Sequence, residues 1–263
     1  MILYQATWPE VDEVSRSAVV LIPTGSLEQH GPHLPLFTDS LIVTAVAEAV
    51  ENRLGDAVIL SPTLWLGASG HHLRFPGSLS SDFKAYISQI ESIAESLMPH
   101  GFHKFYVLNG HGGNADPNGI AARKLKARHP TSTIGQAGYF AFCADAIAGC
   151  LEGPWKDMRH ACEAETSLMK HLHPDLVRTD LIKDDGLMPE PPVHGVVHHF
   201  DEMTERGSMG FATLATAEKG RIIFDAAVEG VARELRTIAE GYAMVGQERA
   251  PGSMLDAETR DRP

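Results

Sequence analysis

Glutamate, aspartate and histidine recur at close spacing near the start of this 263-residue chain. Residues 25–40 contain Glu28, His30 and Asp39. Because alternate side chains of an extended segment point the same way, Glu28 and His30 could reach one ion. Asp39 begins a predicted helix, where it could equally act as a favourable acid at the positive end of the helix dipole. Ligands of these types without cysteine are typical of Zn²⁺ or Mn²⁺ sites.

A second cluster, the sequence NGHGGN at 109–114, follows a predicted strand. Its glycines allow a tight turn and a close approach of the backbone to a ligand. A plain strand-to-helix turn and a phosphate-binding loop are the alternatives. The missing Walker lysine and GxGxxG spacing weaken the phosphate interpretation. At the end of a strand, His111 is better placed as a ligand than as a core residue.

The third cluster is the sequence HACEAETS at 160–167, which contains His160, Glu163 and Glu165. Two acids in the first turn of a helix favour the helix dipole, which gives them a purely structural use. Two acids so close to a histidine also suit metal binding. The pattern leaves both interpretations open.

The elements that must position these clusters follow from the apolar pattern. Continuous apolar runs predict strands at 17–24, 58–61, 104–108 and 131–134. Helical spacing predicts helices at 39–54, from a cap at Ser81 or Asp82 to about 99, and at 117–127, 162–173 and 220–245. Residues 66–80, 141–160 and 184–210 are predicted to be loop or irregular. This alternation predicts an α/β fold whose mostly parallel sheet has helices on both faces. Ligands bind at the ends of such strands, so we expect the first two clusters to share a site.

Composition excludes several classes of function. The net charge of −12 argues against nucleic acid or an anionic membrane as the main partner, and no apolar run is long enough to span a bilayer. Three cysteines without close pairing argue against a disulfide scaffold. Residues 1–16 lack a secretory signal, so we expect a cytoplasmic location. We predict one domain over 1–246 and a flexible tail over 247–263.

Taken together, the motifs resemble the creatininase family of metal-dependent amidohydrolases. The matching segments are SLEQHGPHLPLFTD, GHHLRFPGSLS, LNGHGGN, HACEAETS and ATAEKG, in that order. The resemblance runs from about residue 17 to 245. It implies a three-layer α/β fold, two divalent metal ions per chain, zinc or manganese, and a homo-oligomer, typically a hexamer.

The resemblance also implies a ligand set. Glu28, Asp39 and His111 would hold one ion, and His30 would hold the other together with Asp39, which bridges. In creatininase a further carboxylate comes from the turn, at the position that is Gly113 here.

A replacement for that carboxylate must come from elsewhere in the chain. Our candidate is Glu163, where creatininase has an apolar residue. Glu165 would then support a ligand or His160. An exchange of roles between Glu163 and Glu165 would escape this reasoning.

By the same resemblance, His160 would be the general acid that protonates the leaving nitrogen, and Asp157 would orient or charge it. A water bridging two cations would attack the amide carbon. His72, Trp155 and Gly112 are candidates for the rim of the substrate site.

The aromatic residues that clamp creatinine are largely missing, so creatinine is not the expected substrate. Lys156 and Arg159 could meet an acidic or carbonyl-rich ligand, or could be solvated surface residues.

The expected function is hydrolysis of a C–N bond in a small molecule, an amide, cyclic amide or formamide. One alternative keeps the metals and cleaves a C–C or C–O bond of an oxidised cyclic sugar or lactone. The other is a metal-binding oligomer without catalysis.

Overall fold

A four-stranded parallel sheet forms the centre of the molecule. The computed structural model describes residues 1–188, 193 and 195–242. The strands are β1 (Val19–Thr24), β2 (Val58–Leu60), β3 (Lys104–Asn109) and β4 (Thr133–Gly138), in the order β2-β1-β3-β4. Every neighbouring pair is parallel. All six residues of β1 are buried, which explains its continuous apolar sequence.

Seven α-helices surround the sheet in the described part of the chain. They are α1 (Trp8–Glu13), α2 (Thr38–Leu54), α3 (Phe83–Leu97), α4 (Ala115–Arg128), α5 (Ala144–Cys150), α6 (Glu163–Leu172) and α7 (Ala217–Glu240). Asp82 caps α3 by accepting the backbone N–H groups of Lys84 and Ala85. The prediction that 141–160 is wholly irregular was wrong, since α5 lies within it. Residues 243–263, which include the predicted tail, lie outside the described residues.

The helices form a layer on each face of the sheet, which confirms the predicted architecture. Since successive side chains of a strand point to opposite faces, Val19 and Leu21 pack with α2, α6 and α7. Val20 and Ile22 pack with α3 and α4 on the other face. No described helix is both long enough and apolar enough to cross a membrane.

The site is positioned by a change of direction in the strand order. From β1 the chain moves outward to β2, then crosses back to β3 on the other side of β1. The carboxyl ends of β1 and β3 therefore lie side by side, with Thr24 in register with Asn109. Parallel sheets bind ligands in the crevice at such a point. The first two polar clusters begin there, at Gly25 and Asn109.

Candidate metal centre

Three buried side chains from three segments meet at this crevice. Glu28 follows β1, Asp39 lies in the first turn of α2, and His111 follows β3. The Nδ1 atom of His111 is 3.2 Å from Oε1 of Glu28 and 3.0 Å from Oδ2 of Asp39. One ligand atom from each residue lies within 4.8 Å of the others, which is close enough to hold one ion.

A second group lies on the other side of Asp39. It consists of His30, His160 and Glu165. The Nε2 atom of His30 is 3.1 Å from Oδ1 of Asp39 and 3.8 Å from Oε2 of Glu165. The two oxygens of Asp39 thus face different histidines, His30 and His111, and this is the arrangement required of a bridging carboxylate.

Backbone carbonyl groups orient both of these histidines. Nδ1 of His30 lies 3.1 Å from the carbonyl oxygen of Glu28, and Nε2 of His111 lies 3.3 Å from that of Ala68. If each of these nitrogens donates its proton to the carbonyl, the other ring nitrogen is left unprotonated. That nitrogen faces the carboxylates, as is usual for histidines that bind metal.

The carboxylate of Glu28 is not satisfied by the protein alone. Among the described residues, neither oxygen of the fully buried Glu28 has a hydrogen-bond partner. Its Oε1 lies 3.2 Å from Nε2 of His72, outside hydrogen-bond geometry. A buried carboxylate without such partners is strongly destabilising, and a cation would remove that penalty. The donor set of carboxylate oxygens and imidazole nitrogens fits Zn²⁺ or Mn²⁺.

The pKa values of Glu165 and His30 are both raised in this cluster. Burial, together with the negative charge of Asp39, raises the pKa of Glu165 to about 8. Burial opposes protonation of His30, yet the carboxylates of Asp39, Glu165 and Glu28 raise its pKa to about 9. Without metal, protons therefore take the place of cations among these side chains.

Glu163 does not lie in the cluster, contrary to expectation. Its Oε1 accepts hydrogen bonds from Nζ of Lys219 at 2.7 Å and from the backbone N–H of Glu152 at 2.8 Å. Its Oε2 accepts the N–H of Gly153 at 3.0 Å. Both Glu163 and Glu165 lie in the first turn of α6, where two residues correspond to about 200° of rotation. They consequently point in nearly opposite directions, and only Glu165 faces His30.

Steric crowding explains why residue 113 is a glycine. A Cβ atom at Gly113 would come within 2.4 Å of Nε2 of His111 and 2.5 Å of the carbonyl oxygen of Ala68. A glutamate ligand therefore has no room in this turn as it is folded here. Gly112, by contrast, has open space around its Cα.

His160 lies in the wall of the cavity beside these groups. Its Nδ1 is 3.7 Å from Oε1 of Glu28, and its Nε2 is 2.7 Å from the backbone oxygen of Gln29. Burial lowers its pKa well below the ordinary value. Asp157 is not among the residues that line this cavity, and its side chain is 59% exposed and pairs with Arg159.

The cavity has a volume of about 300 Å³. Of the three rim candidates, His72 and Gly112 line it, whereas Trp155 packs instead against Phe211 and Arg159. The wall also contains apolar side chains that the sequence reasoning missed, namely Phe140, Met158 and Phe200. The Phe200 ring lies 4.1 Å from the His72 ring and 4.5 Å from the His160 ring, measured between centroids. Phe200 belongs to no motif, so only the folded path of 195–210 reveals it.

Gln29 is a further residue that sequence reasoning missed. Its side-chain Nε2 donates to the backbone oxygen of Gly207 at 2.8 Å and lies 2.9 Å from Nδ1 of His72. The same atom is 3.0 Å from Nε2 of His160. Its position between Glu28 and His30 in the first motif was the available signal.

Known proteins are similar to this chain in sequence. A family model described as creatininase, creatinine amidohydrolase, matches residues 4–235. The mycofactocin precursor peptide peptidase of Mycolicibacterium smegmatis is 35% identical over 229 residues, covering 83% of this chain and 84% of that protein. The creatinine amidohydrolase of Pseudomonas putida is 31% identical over 249 residues, covering 88% and 95%. The 3-dehydro-scyllo-inosose hydrolase of Thermotoga maritima is 27% identical over 256 residues, covering 88% and 81%.

Solved structures share the fold. A creatininase crystal structure superposes with a TM-score of 0.80 at 28% identity, covering 92% of this chain and 98% of that one. A mutant described as Zn-Zn type gives 0.77 at 28%, covering 89% and 96%. A form described as creatininase Mn gives 0.79 at 29%, covering 89% and 97%. With the family model spanning nearly all of the described residues, this chain is a member of the creatininase family.

Proposed function

We propose that this chain is a hydrolase with two divalent metal ions that cleaves a C–N bond of an amide, cyclic amide or formamide in a small molecule. The observation that carries the proposal is the buried cluster of three carboxylates and two inward-facing histidine nitrogens at the floor of the cavity. Two of the relatives support the bond type, since a peptidase and an amidohydrolase both hydrolyse C–N bonds.

Asp39 is the centre of the proposed ligand set. One ion would be held by Glu28, Asp39 and His111, and the other by His30, Asp39 and Glu165. Glu165 therefore takes the ligand role that the sequence reasoning gave to Glu163. Zinc and manganese are the proposed metals, because creatininase structures of both kinds are known. When bound, such a pair supplies an acidified water and a Lewis acid for the carbonyl oxygen.

His160 would move the proton. Its Nε2 is directed at the Gln29 carbonyl oxygen, so Nδ1 is the nitrogen available toward the cavity floor. Burial lowers the pKa of His160, so the ring is neutral at rest and can accept a proton from the attacking water. The same nitrogen can then donate that proton to the leaving amine.

The backbone next to His160 is held in an uncommon conformation. Ala161 has a φ of 49°, the one positive value for a non-glycine residue in the described chain. Its N–H donates to Oε2 of Glu165. Glu165 would thus join the second ion to the segment that carries His160, and strain of this kind is typical of functional sites.

A substitution at His160 tests the proposal. We expect wild-type protein to contain about two ions of zinc or manganese per chain and to hydrolyse at least one compound in a screen of cyclic amides, formamides and short peptides. His160→Ala should keep both ions and lose activity by about 10²- to 10⁴-fold, the usual contribution of a general acid or base. A wild-type protein without metal would refute the metal centre. Undiminished activity in His160→Ala would refute the role of His160 in proton transfer.

A second candidate keeps the centre and changes the substrate. The relative from Thermotoga maritima is described as a 3-dehydro-scyllo-inosose hydrolase, which favours an oxidised cyclic substrate as the second candidate. Including sugar lactones and oxidised inositols in the same screen separates the two candidates. We also predict that the chain forms a homo-oligomer, a hexamer by family resemblance. Sedimentation velocity would test this prediction.

A further inference from the structure

One cationic side chain, that of Arg159, lies in the wall of the cavity among the residues that the structure describes. The other wall residues are acids, histidines, glycines and apolar side chains. Lys156, the neighbouring cation in the same loop, turns away and donates to the backbone oxygen of Leu151. The structure thus distinguishes two basic residues that the sequence left equivalent.

Two side chains hold the guanidinium of Arg159 in place. It lies 4.2 Å above the centre of the Trp155 ring, and its Nε donates to Oδ1 of Asp157 at 3.1 Å. Trp155 and Asp157 are the residues expected at the rim and beside His160. Their observed contact is with Arg159 instead. A stacked and paired guanidinium has lost much of its freedom before any ligand arrives, so binding a ligand costs less entropy.

The remaining N–H donors of the Arg159 guanidinium are suited to binding a ligand. Within the described chain, the two terminal nitrogens of Arg159 have no hydrogen-bond partner. The side chain is 26% exposed, less than half the exposed fraction of its partner Asp157. A planar pair of N–H donors matches the two oxygens of a carboxylate, which makes this the favoured partner of arginine.

Charge in the cavity favours an anion once metal is bound. In the metal-free protein, the carboxylates of Glu28, Asp39 and Glu165 would repel an anionic ligand. Two divalent cations would more than neutralise these three groups, and Arg159 adds a further positive charge. An anionic substrate group would therefore bind to the metal-loaded site rather than to the metal-free one.

We propose that Arg159 binds a carboxylate on the substrate and so selects amides that carry an acidic group near the scissile bond. This inference rests on the proposed function, because it assumes that the reacting carbonyl lies over the metal centre. It assigns to Trp155 and Asp157 the role of positioning residues for Arg159.

Hydroxamates of graded length test the inference without requiring turnover. The hydroxamate group binds metal, and the tail reports on Arg159. The probes are the monohydroxamates of malonic, succinic and glutaric acid, each compared with an alkyl hydroxamate of equal length. Affinities for the zinc-loaded protein are measured by calorimetry. We expect at least one carboxylate tail to tighten binding about tenfold, as for a hydrogen bond between charged groups.

Variants locate the effect. Arg159→Met should abolish the advantage of the carboxylate tail, and Arg159→Lys should keep part of it because the charge remains. Lys156→Met is the matched control in the same loop and should keep all of it. Trp155→Phe, which retains an aromatic face, should reduce the advantage only slightly. Zinc content and circular dichroism verify that each variant is folded, and Arg159→Gln replaces Arg159→Met if that variant is not.

Distinct results overturn the two proposals. Equal affinities for charged and neutral tails in the wild type would refute the role of Arg159. An advantage that persists in the Arg159 variants would refute it as well, since the carboxylate would then be sitting on the metals. If no hydroxamate binds at all, the metal centre itself is refuted, and with it the basis of this inference.

Discussion

Exchanging one carboxylate for an amide at two positions in the same helical turn tests the assignment of the metal ligands. Glu165→Gln should lower the metal content from about two ions to about one per chain. Its Oε2 lies 3.8 Å from Nε2 of His30, and an amide is a much weaker ligand than a carboxylate. Glu163→Gln is the matched control and should keep both ions, because Glu163 is bound to Lys219.

The control should instead lose thermal stability. The side chains of Glu163 and Lys219 are 3% and 8% exposed, so their ion pair is shielded from water. Lys219 keeps two other partners, the backbone oxygen of Leu214 at 2.7 Å and Glu152 at 2.9 Å. The loss therefore resembles one charged hydrogen bond, about 2 kcal/mol, rather than a fully orphaned buried charge. For a protein of this size, that lowers Tm by about 4 °C.

Two measurements on the same samples decide the question. Inductively coupled plasma spectrometry gives the ions per chain after dialysis against zinc, and differential scanning calorimetry of the chelated proteins gives Tm. We expect a crossed result, in which Glu165→Gln loses metal and Glu163→Gln loses stability. Loss of an ion from Glu163→Gln while Glu165→Gln keeps both would refute the ligand assignment.

Two further predictions concern the turn and the response to acid. Gly113→Ala should weaken zinc binding at least tenfold in a competition titration, because the new methyl group would displace His111, whereas Gly112→Ala has room and should bind zinc normally. His33 is fully buried, and burial lowers its pKa from about 6.5 to about 4, so it contributes stability that is complete above pH 6.5 and is lost as the pH falls through about 4. At ~1.4 kcal/mol per pH unit the loss approaches about 3 kcal/mol, and it should appear in urea unfolding of the metal-free protein between pH 7.5 and 4.5. His33→Gln should reduce this acid-induced loss of stability by about 3 kcal/mol, whereas His72 and His160, whose pKa values burial also lowers, keep their own contributions. The exposed His100→Gln should leave the loss intact, and an unchanged acid response in His33→Gln would contradict the assignment.

Much of the fold was predictable because its signals are local. The continuous apolar runs of β1 and β3 require burial on both faces, and the helical spacing between them requires crossovers. The end of β1 and the end of β3 were therefore expected at one edge. The residue types of Glu28, Asp39 and His111 allowed two interpretations, a metal centre or a purely structural role in a helix and a turn. The resemblance to the family motifs favoured the metal centre.

The choice between Glu163 and Glu165 shows where local signals stop. Both are acids in the first turn of a helix, and the sequence gives them equal standing. The rotation of α6 about its axis decides between them, and that rotation is set by packing against α7 and α2. Lys219, 56 residues beyond Glu163, completes the separation by supplying a partner that no local pattern connects to it.

The loop before His160 shows the same limit in a different form. The sequence determined by itself that aromatic, acidic and basic residues crowd together at 155–159. It could not determine which of them faces the cavity, because an irregular segment has no period from which to infer direction. Only the folded chain shows that Trp155 and Asp157 contact Arg159, and that Arg159 lines the cavity. Composition and spacing thus determined which chemistry is possible, whereas long-range packing determined which side chains are placed to perform it.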